Sequence, residues 1–218
     1  MPHLKAIVTG YQPFGKWPAN PSQDAARRYD GRVLTLDDGR DQIEVVGLVL
    51  PVGYYEAFQA LDAAMRQHSP DIIVSVGLAP GATTLRLETM GRNMTFASIP
   101  DALGRNPQNE PIDPAGEAEY RTNIDHERVL QALQDRGLVA VLSEDAGTYI
   151  CNATIYQAMQ RISRDSLPIR YAFLHTPWTD DRAVEDENLV RIPVADLDRA
   201  VETIIRTLAM ADPRLTSG

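Results

Sequence analysis

The sequence predicts an α/β fold: a three-layer α/β/α sandwich around a mostly parallel, mixed central sheet, with residues 1–218 as a single domain. Three observations predict it. Short apolar runs bounded by turn residues alternate with helical patterns along the whole chain, the arrangement that packs helices against a sheet. Two of the runs, "IEVVGLVLPV" and "DIIVSVGLA", are almost continuously apolar, as strands covered on both faces are. A third stretch, "TLRLETMGRNM", alternates apolar and polar residues, which suggests a half-buried strand and a mixed sheet.

The elements follow in order. "LKAIVT" reads as a first strand ending at Gly10, and "YQPFGKWPANPS" as a shaped loop with three prolines and two further aromatics after Tyr11. Ser22 is placed to cap a helix over 23–30 that Gly31 ends. After the strand over 43–52, Phe58, Leu61 and Met65 recur at helical spacing until Ser69-Pro70. The strand over 71–79 runs into a glycine loop, and the alternating strand over 84–94 follows. Residues 99–120 are rich in Pro, Asn, Asp and Gly and read as a long loop, a feature that usually has a task in a compact domain. Asp125 caps a helix carrying Val129, Leu130 and Leu133, closed by Gly137. "LVAVLS" is a strand, and Ile155, Tyr156, Met159 and Ile162 form the stripe of the next helix. "IRYAFLH" is a strand ending on His175, and a last helix after Pro193 presents Leu197, Val201, Ile204, Ile205 and Leu208.

Composition narrows the function classes. At 218 residues and 44% hydrophobic residues the chain can bury a sizeable core. A net charge of −9 disfavours both nucleic-acid backbones and anionic membrane surfaces. No apolar run approaches spanning length, and "MPHLKAIVTG" lacks the pattern of a secretory signal, so a cytoplasmic setting is expected. The single cysteine, Cys151, excludes an internal disulfide and a multi-thiolate metal site. "GLAPGATT" fits neither a dinucleotide fingerprint nor a phosphate loop, and no cofactor is expected.

Three residues stand where chemistry gathers in open α/β sheets, near the carboxyl ends of strands. Cys151 follows a Gly-Thr-Tyr turn and opens a helical pattern. As a structural residue it is a small buried hydrophobe. As a nucleophile it gains from the helix start and a neighbouring imidazolium, which bring a thiol pKa from roughly 8.5 to about 3.5–7.5. Backbone N–H groups there also hold an oxyanion, each worth about 2.7–4 kcal/mol in the transition state. His175 is the best partner: His3 is terminal, His68 closes a helix and His126 opens an exposed one. On its own, however, a histidine after an apolar strand is often structural. Glu88 reads either as a solvated strand residue beside Arg86 or as the carboxylate that orients an imidazole, and spacing alone does not select it. Tyr11, Phe14 and Trp17 form either a packed turn or the walls of an apolar slot.

The stretches "VTGYQPFGKWPANPS", "PDIIVSVGLAPG", "LETMGRN", "IPDALGRNPQNEPID", "AGTYICNATIY" and "FLHTPW" resemble, in order and over nearly the whole chain, those of type I pyroglutamyl peptidases. The "G-T-Y-x-C-N" run paired with a downstream "H-x-P" is the most specific of them. The resemblance implies a cofactor-free cysteine peptidase that removes N-terminal pyroglutamate through a thioester. In it Cys151 is the nucleophile, His175 the base and Glu88 the carboxylate, while Tyr11, Phe14, Leu78 and Ile150 lie at the acyl pocket. It further implies pyroglutamylated peptides as partners and a homo-oligomer, tetramers being frequent in the family. The chain departs from the family pattern at Tyr11, usually Phe; at Leu78, often Gln; at Arg86, commonly a small hydroxyl residue; and at Thr89, usually basic. These departures keep two other readings in view: an amidohydrolase with a shifted acyl preference, and a non-catalytic binder of blocked peptide N-termini.

Overall fold

The computed structural model describes residues 3–36, 41–182, 188–212 and 214, and the side chain of His3 lies outside that description. The chain begins with β1 (His3–Tyr11), α1 (Pro21–Tyr29), β2 (Val33–Thr35) and β3 (Gln42–Leu50). α2 (Glu56–His68), β4 (Ile72–Leu78), β5 (Leu85–Glu88) and β6 (Met90–Arg92) follow. Three short strands come next, β7 (Thr95–Phe96), β8 (Gln108–Glu110) and β9 (Glu119–Arg121), then α3 (His126–Asp135) and β10 (Ala140–Ser143). The chain closes with α4 (Ile150–Arg164), β11 (Arg170–Thr176), β12 (Trp178–Thr179), β13 (Arg191–Ile192) and α5 (Val194–Met210).

Seven strands form the central sheet in the order β10-β5-β11-β4-β1-β3-β2. Four of the six pairings are parallel, and only β5 with β11 and β2 with β3 run antiparallel. Alternate side chains of the strands feed two cores. On one face Val8, Val74, Leu85, Leu87 and Leu174 pack with α1, α3 and α5. On the other, Ile7, Tyr11, Ile73, Tyr171 and Phe173 pack with α2 and α4. The result is the expected three-layer, mostly parallel architecture.

Several local expectations are corrected. Asn20, not Ser22, caps α1: its side chain accepts from the Ser22 N–H at 3.1 Å, and the helix begins at Pro21. Proline suits the first helical position because its missing N–H would have no partner there. Ser22 Oγ instead accepts the Tyr11 N–H at 3.0 Å, fastening the end of β1 to the helix. β3 is only partly covered, with Glu44 exposed opposite the equally exposed Val33, because near the sheet edge helices do not cover both of its faces. The strand expected over 84–94 breaks at Thr89: β5 stays in the central sheet and β6 pairs with β9. The long loop over 99–120 contains β8 and the start of β9, and Asn93 and Asp113 pin it by reciprocal hydrogen bonds of 2.7 and 2.9 Å. Asp125 caps α3 as expected, and Gly137, at φ +74°, follows the helix end.

No described helix is long and apolar enough to cross a membrane.

Gly10 brings α1 down onto β1. A Cβ at this position would lie 1.8 Å from the Ser22 carbonyl oxygen, a backbone atom that cannot swing aside. Gly10→Ala is therefore expected to destabilise the fold by about 3 kcal/mol. Thermal unfolding checks it, with an expected drop in Tm of about 6–12 °C.

Candidate active site

The site is built where the carboxyl ends of β1, β4 and β11 meet the start of α4. β5 joins from the opposite direction. Its antiparallel register sets Arg86 across from His175 and Glu88 across from Phe173. Paired and i, i+2 residues share a sheet face. Arg86, Glu88, Phe173 and His175 therefore all project toward the α4 side, while Leu85, Leu87 and Leu174 fill the opposite core. Of the two readings left open for Glu88, the solvated one is excluded: β10 and β11 flank it, and it is fully buried.

A buried carboxylate needs a partner. Glu88 Oε1 lies 2.8 Å from His175 Nδ1 and 3.4 Å from Arg86 Nε. With Nδ1 turned to Glu88, Nε2 is the imidazole nitrogen left for Cys151. Burial works against charge on this imidazole. The Cys151 charge and hydrogen bond, followed by those of Glu88, outweigh it and raise the His175 pKa from 6.5 to about 9.

Cys151 is half-buried in the first turn of α4, one residue past the helix start. Tyr149 occupies the N-cap without a capping side-chain bond, so the first N–H groups of the helix are not capped by it. Asn152, next in sequence, is a clamp. Its Oδ1 accepts the Arg92 N–H at 2.7 Å, and its Nδ2 donates to the carbonyls of Arg92 and Met94, both at 2.9 Å. This fixes the start of α4 against the segment that follows β5.

Gly77 of β4 lies directly beneath. A Cβ there would stand 2.9 Å from Cys151 Sγ, 3.0 Å from His175 Cδ2 and 3.0 Å from Phe173 Cζ. The absent side chain is the space in which thiol and imidazole meet. Glycine inside an apolar strand signals such close approach, so the "VSVGLA" stretch already carried the cue.

A cavity of about 330 Å³ opens in front of Cys151 and His175. All four expected pocket residues, Tyr11, Phe14, Leu78 and Ile150, line it. Val52, Tyr149, Arg86 and Asp145 also border it, and none of these was assigned to a pocket from the sequence. The two charged ones are engaged: Asp145 Oδ1 accepts the Gly147 N–H at 3.0 Å, and Arg86 holds Glu88. The Tyr11 hydroxyl is sealed from solvent near Thr154 without completing a hydrogen bond of ordinary geometry. Burial and the Cys151 charge raise its pKa well above the usual tyrosine value, so it stays neutral. Trp17 packs edge-on against Trp178, with centroids 5.1 Å apart, rather than against the cavity. Thr89 is buried behind the site, its N–H bonded to the Ser143 carbonyl at 2.8 Å. His126 is half-buried at the start of α3, its ring 2.6 Å from Thr122 Oγ1. Among the described residues, no cluster of three or more His, Cys, Asp or Glu side chains is arranged to hold a metal ion.

Comparison with known proteins identifies relatives of the chain. A family model described as pyroglutamyl peptidase matches residues 4–212. The pyrrolidone-carboxylate peptidase of Bacillus subtilis is 33% identical over 207 residues, covering 95% of this chain and 90% of that protein. The pyrrolidone-carboxylate peptidase 1 of Caldanaerobacter subterraneus is 29% identical over 95% of this chain and 99% of its own length. The crystal structure of Bacillus amyloliquefaciens pyroglutamyl peptidase I superposes with a TM-score of 0.87 at 30% identity, covering 95% of this chain and 97% of that one.

Filling the space at Gly77 tests whether the convergence matters. Gly77→Ala is expected to fold but to displace the thiol or the ring, lowering kcat/KM about 100-fold, the scale of an ångström-sized misplacement. Steady-state kinetics beside circular dichroism would check both halves.

Proposed function

The chain belongs to the pyroglutamyl peptidase family, and on that premise we propose that Cys151, His175 and Glu88 form the catalytic triad of a cysteine peptidase releasing N-terminal pyroglutamate. The observation that carries the reading is the convergence of Cys151 Sγ and the His175 ring over Gly77, with Glu88 2.8 Å behind the imidazole. The match over residues 4–212 supports treating 1–218 as one peptidase domain.

Pyroglutamate is a compact, uncharged lactam, so its pocket needs apolar walls rather than a countercharge. The cavity suits it: Tyr11, Phe14, Leu78 and Ile150 supply the walls. Asp145, the one acid bordering it among the described residues, is occupied by Gly147 and lies 3.6 Å from Arg92. An exposed, solvated carboxylate gives a free α-ammonium group little hold, so the apolar lining favours a blocked, uncharged N-terminus.

In the proposed reaction the Cys151 thiolate bonds to the acyl carbon, and N–H groups at the start of α4 hold the oxyanion. The carbon–nitrogen bond then breaks as the His175 imidazolium gives its proton to the leaving amine. Neutral His175 takes a proton from water, whose oxygen attacks the thioester. The carbon–sulfur bond breaks, and pyroglutamate leaves with the thiolate–imidazolium pair restored. Glu88 keeps the imidazole in the tautomer with Nδ1 protonated and balances the imidazolium.

Two predictions follow from this chemistry. A fluorogenic pyroglutamyl amide should be cleaved far faster than its alanyl and prolyl counterparts, and Cys151→Ser should lose at least about 1000-fold in kcat. Equal rates on all three amides, or an active serine variant, would count against the proposal. The second concerns pH. The His175 pKa is raised in the folded protein, so its stabilising contribution is complete below 6.5 and disappears as pH rises through about 9. The proton needed by the leaving amine is lost at the upper end of that window. The plot of log kcat/KM against pH should therefore stay level through neutrality and fall near pH 9 rather than near 6.5.

A further inference from the structure

We propose that Arg86 is a positioning residue: it fixes the Glu88 carboxylate against His175 and ties it to the turn that precedes the nucleophile helix. The inference rests on the triad reading and deepens it. Arg86 stands across the strand pair from His175, on the same face of β5 as Glu88. Its Nε lies 3.4 Å from Glu88 Oε1, the same oxygen that meets His175 Nδ1. Glu88 Oε2 is buried with no hydrogen-bond partner among the described residues. The orientation of the carboxylate therefore depends on the two contacts made by Oε1.

The other end of the guanidinium holds the turn. Arg86 Nη2 donates to Ser143 Oγ at 2.8 Å and to the Asp145 carbonyl. Ser143 Oγ also accepts the Asp145 N–H at 3.2 Å, and Asp145 carries Gly147. Tyr149 and the start of α4 come directly after. One planar, forked cation thus spans the triad acid and the segment that aims the thiol. A lysine ammonium, as a point charge, cannot hold both ends at once.

The same placement sets a charge near the imidazolium. The groups facing His175 are Glu88 and Arg86 from β5, Cys151 from α4 and the Phe173 ring on its own strand, edge-on with centroids 5.0 Å apart, while Asp145 of the turn borders the same cavity. Tyr11 and Tyr171 flank Cys151 as neutral hydroxyls, their pKa values raised chiefly by burial. Arg86 is the positive member of this set beside the imidazolium, and it shares the oxygen that supports His175. Its removal leaves Glu88 wholly to the imidazolium and lets the imidazole keep its proton to higher pH.

The experiment compares wild type, Arg86→Gln and Arg86→Lys by two readouts: kcat and KM on the pyroglutamyl amide, and the pH dependence of Cys151 alkylation by iodoacetamide. For Arg86→Gln we expect kcat to fall about 10–100-fold with KM changed less. We also expect the alkaline step of the alkylation profile to move up by about half a unit to one unit. Arg86→Lys, which keeps the charge but not the fork, should bring the alkylation profile most of the way back to wild type and recover little of kcat. An Arg86→Gln protein with a wild-type alkylation profile overturns the proposal, whether its Tm is unchanged or lowered. Alkylation needs no substrate: a wild type that alkylates normally but leaves the pyroglutamyl amide intact would sink the functional reading while still judging Arg86.

Discussion

β5 runs against β11 although the pairings on either side of them are parallel, and this reversal sets the geometry of the site. It puts Arg86 beside His175 near the cavity and Glu88 one pleat deeper, on the face that α4 covers. A parallel β5 in the same place would order these residues the other way along the strand. The deep position removes Glu88 from solvent, where a carboxylate survives as an ion only with compensating charge. The imidazolium of His175 and the guanidinium of Arg86 supply it through one oxygen.

That arrangement explains how a buried histidine keeps a proton. Burial alone lowers a histidine pKa. Here two acceptors oppose the desolvation, Cys151 in front and Glu88 behind, and together they win. The charges are mutually dependent. Removing one partner from such a buried set typically costs about 3–5 kcal/mol because it strands the others. Gly77 contributes by absence: thiol and ring meet where a Cβ would be.

Much of this was legible in the sequence for identifiable reasons. The continuous apolar run at 72–78 became β4, buried along its whole length, and the Asp125 cap and Ser69-Pro70 stop fell where side-chain chemistry put them. Resemblance supplied the roles of Cys151, His175 and Glu88, which spacing could not, because their juxtaposition depends on pairings between strands 87 residues apart in the chain. For the same reason the two readings of Glu88 stayed open: alternation reports which residues share a face, not whether a helix covers that face. The contributions of Arg86 and Asn152 were out of reach. A polar residue beside a catalytic one has many local uses, and only the fold shows that Asn152 clamps Arg92 and Met94 or that Arg86 reaches the turn at Asp145.

The central claim is that His175, held between Cys151 and Glu88, stays protonated through neutral pH. The most direct measurement is the side-chain ¹⁵N NMR titration of His175 in the wild type and in Cys151→Ala. The account predicts an imidazolium that loses its proton near pH 9 in the wild type. It also predicts a markedly lower midpoint once the thiol is gone, because burial then faces only Glu88. A histidine that titrates at the same pH in both proteins would contradict it.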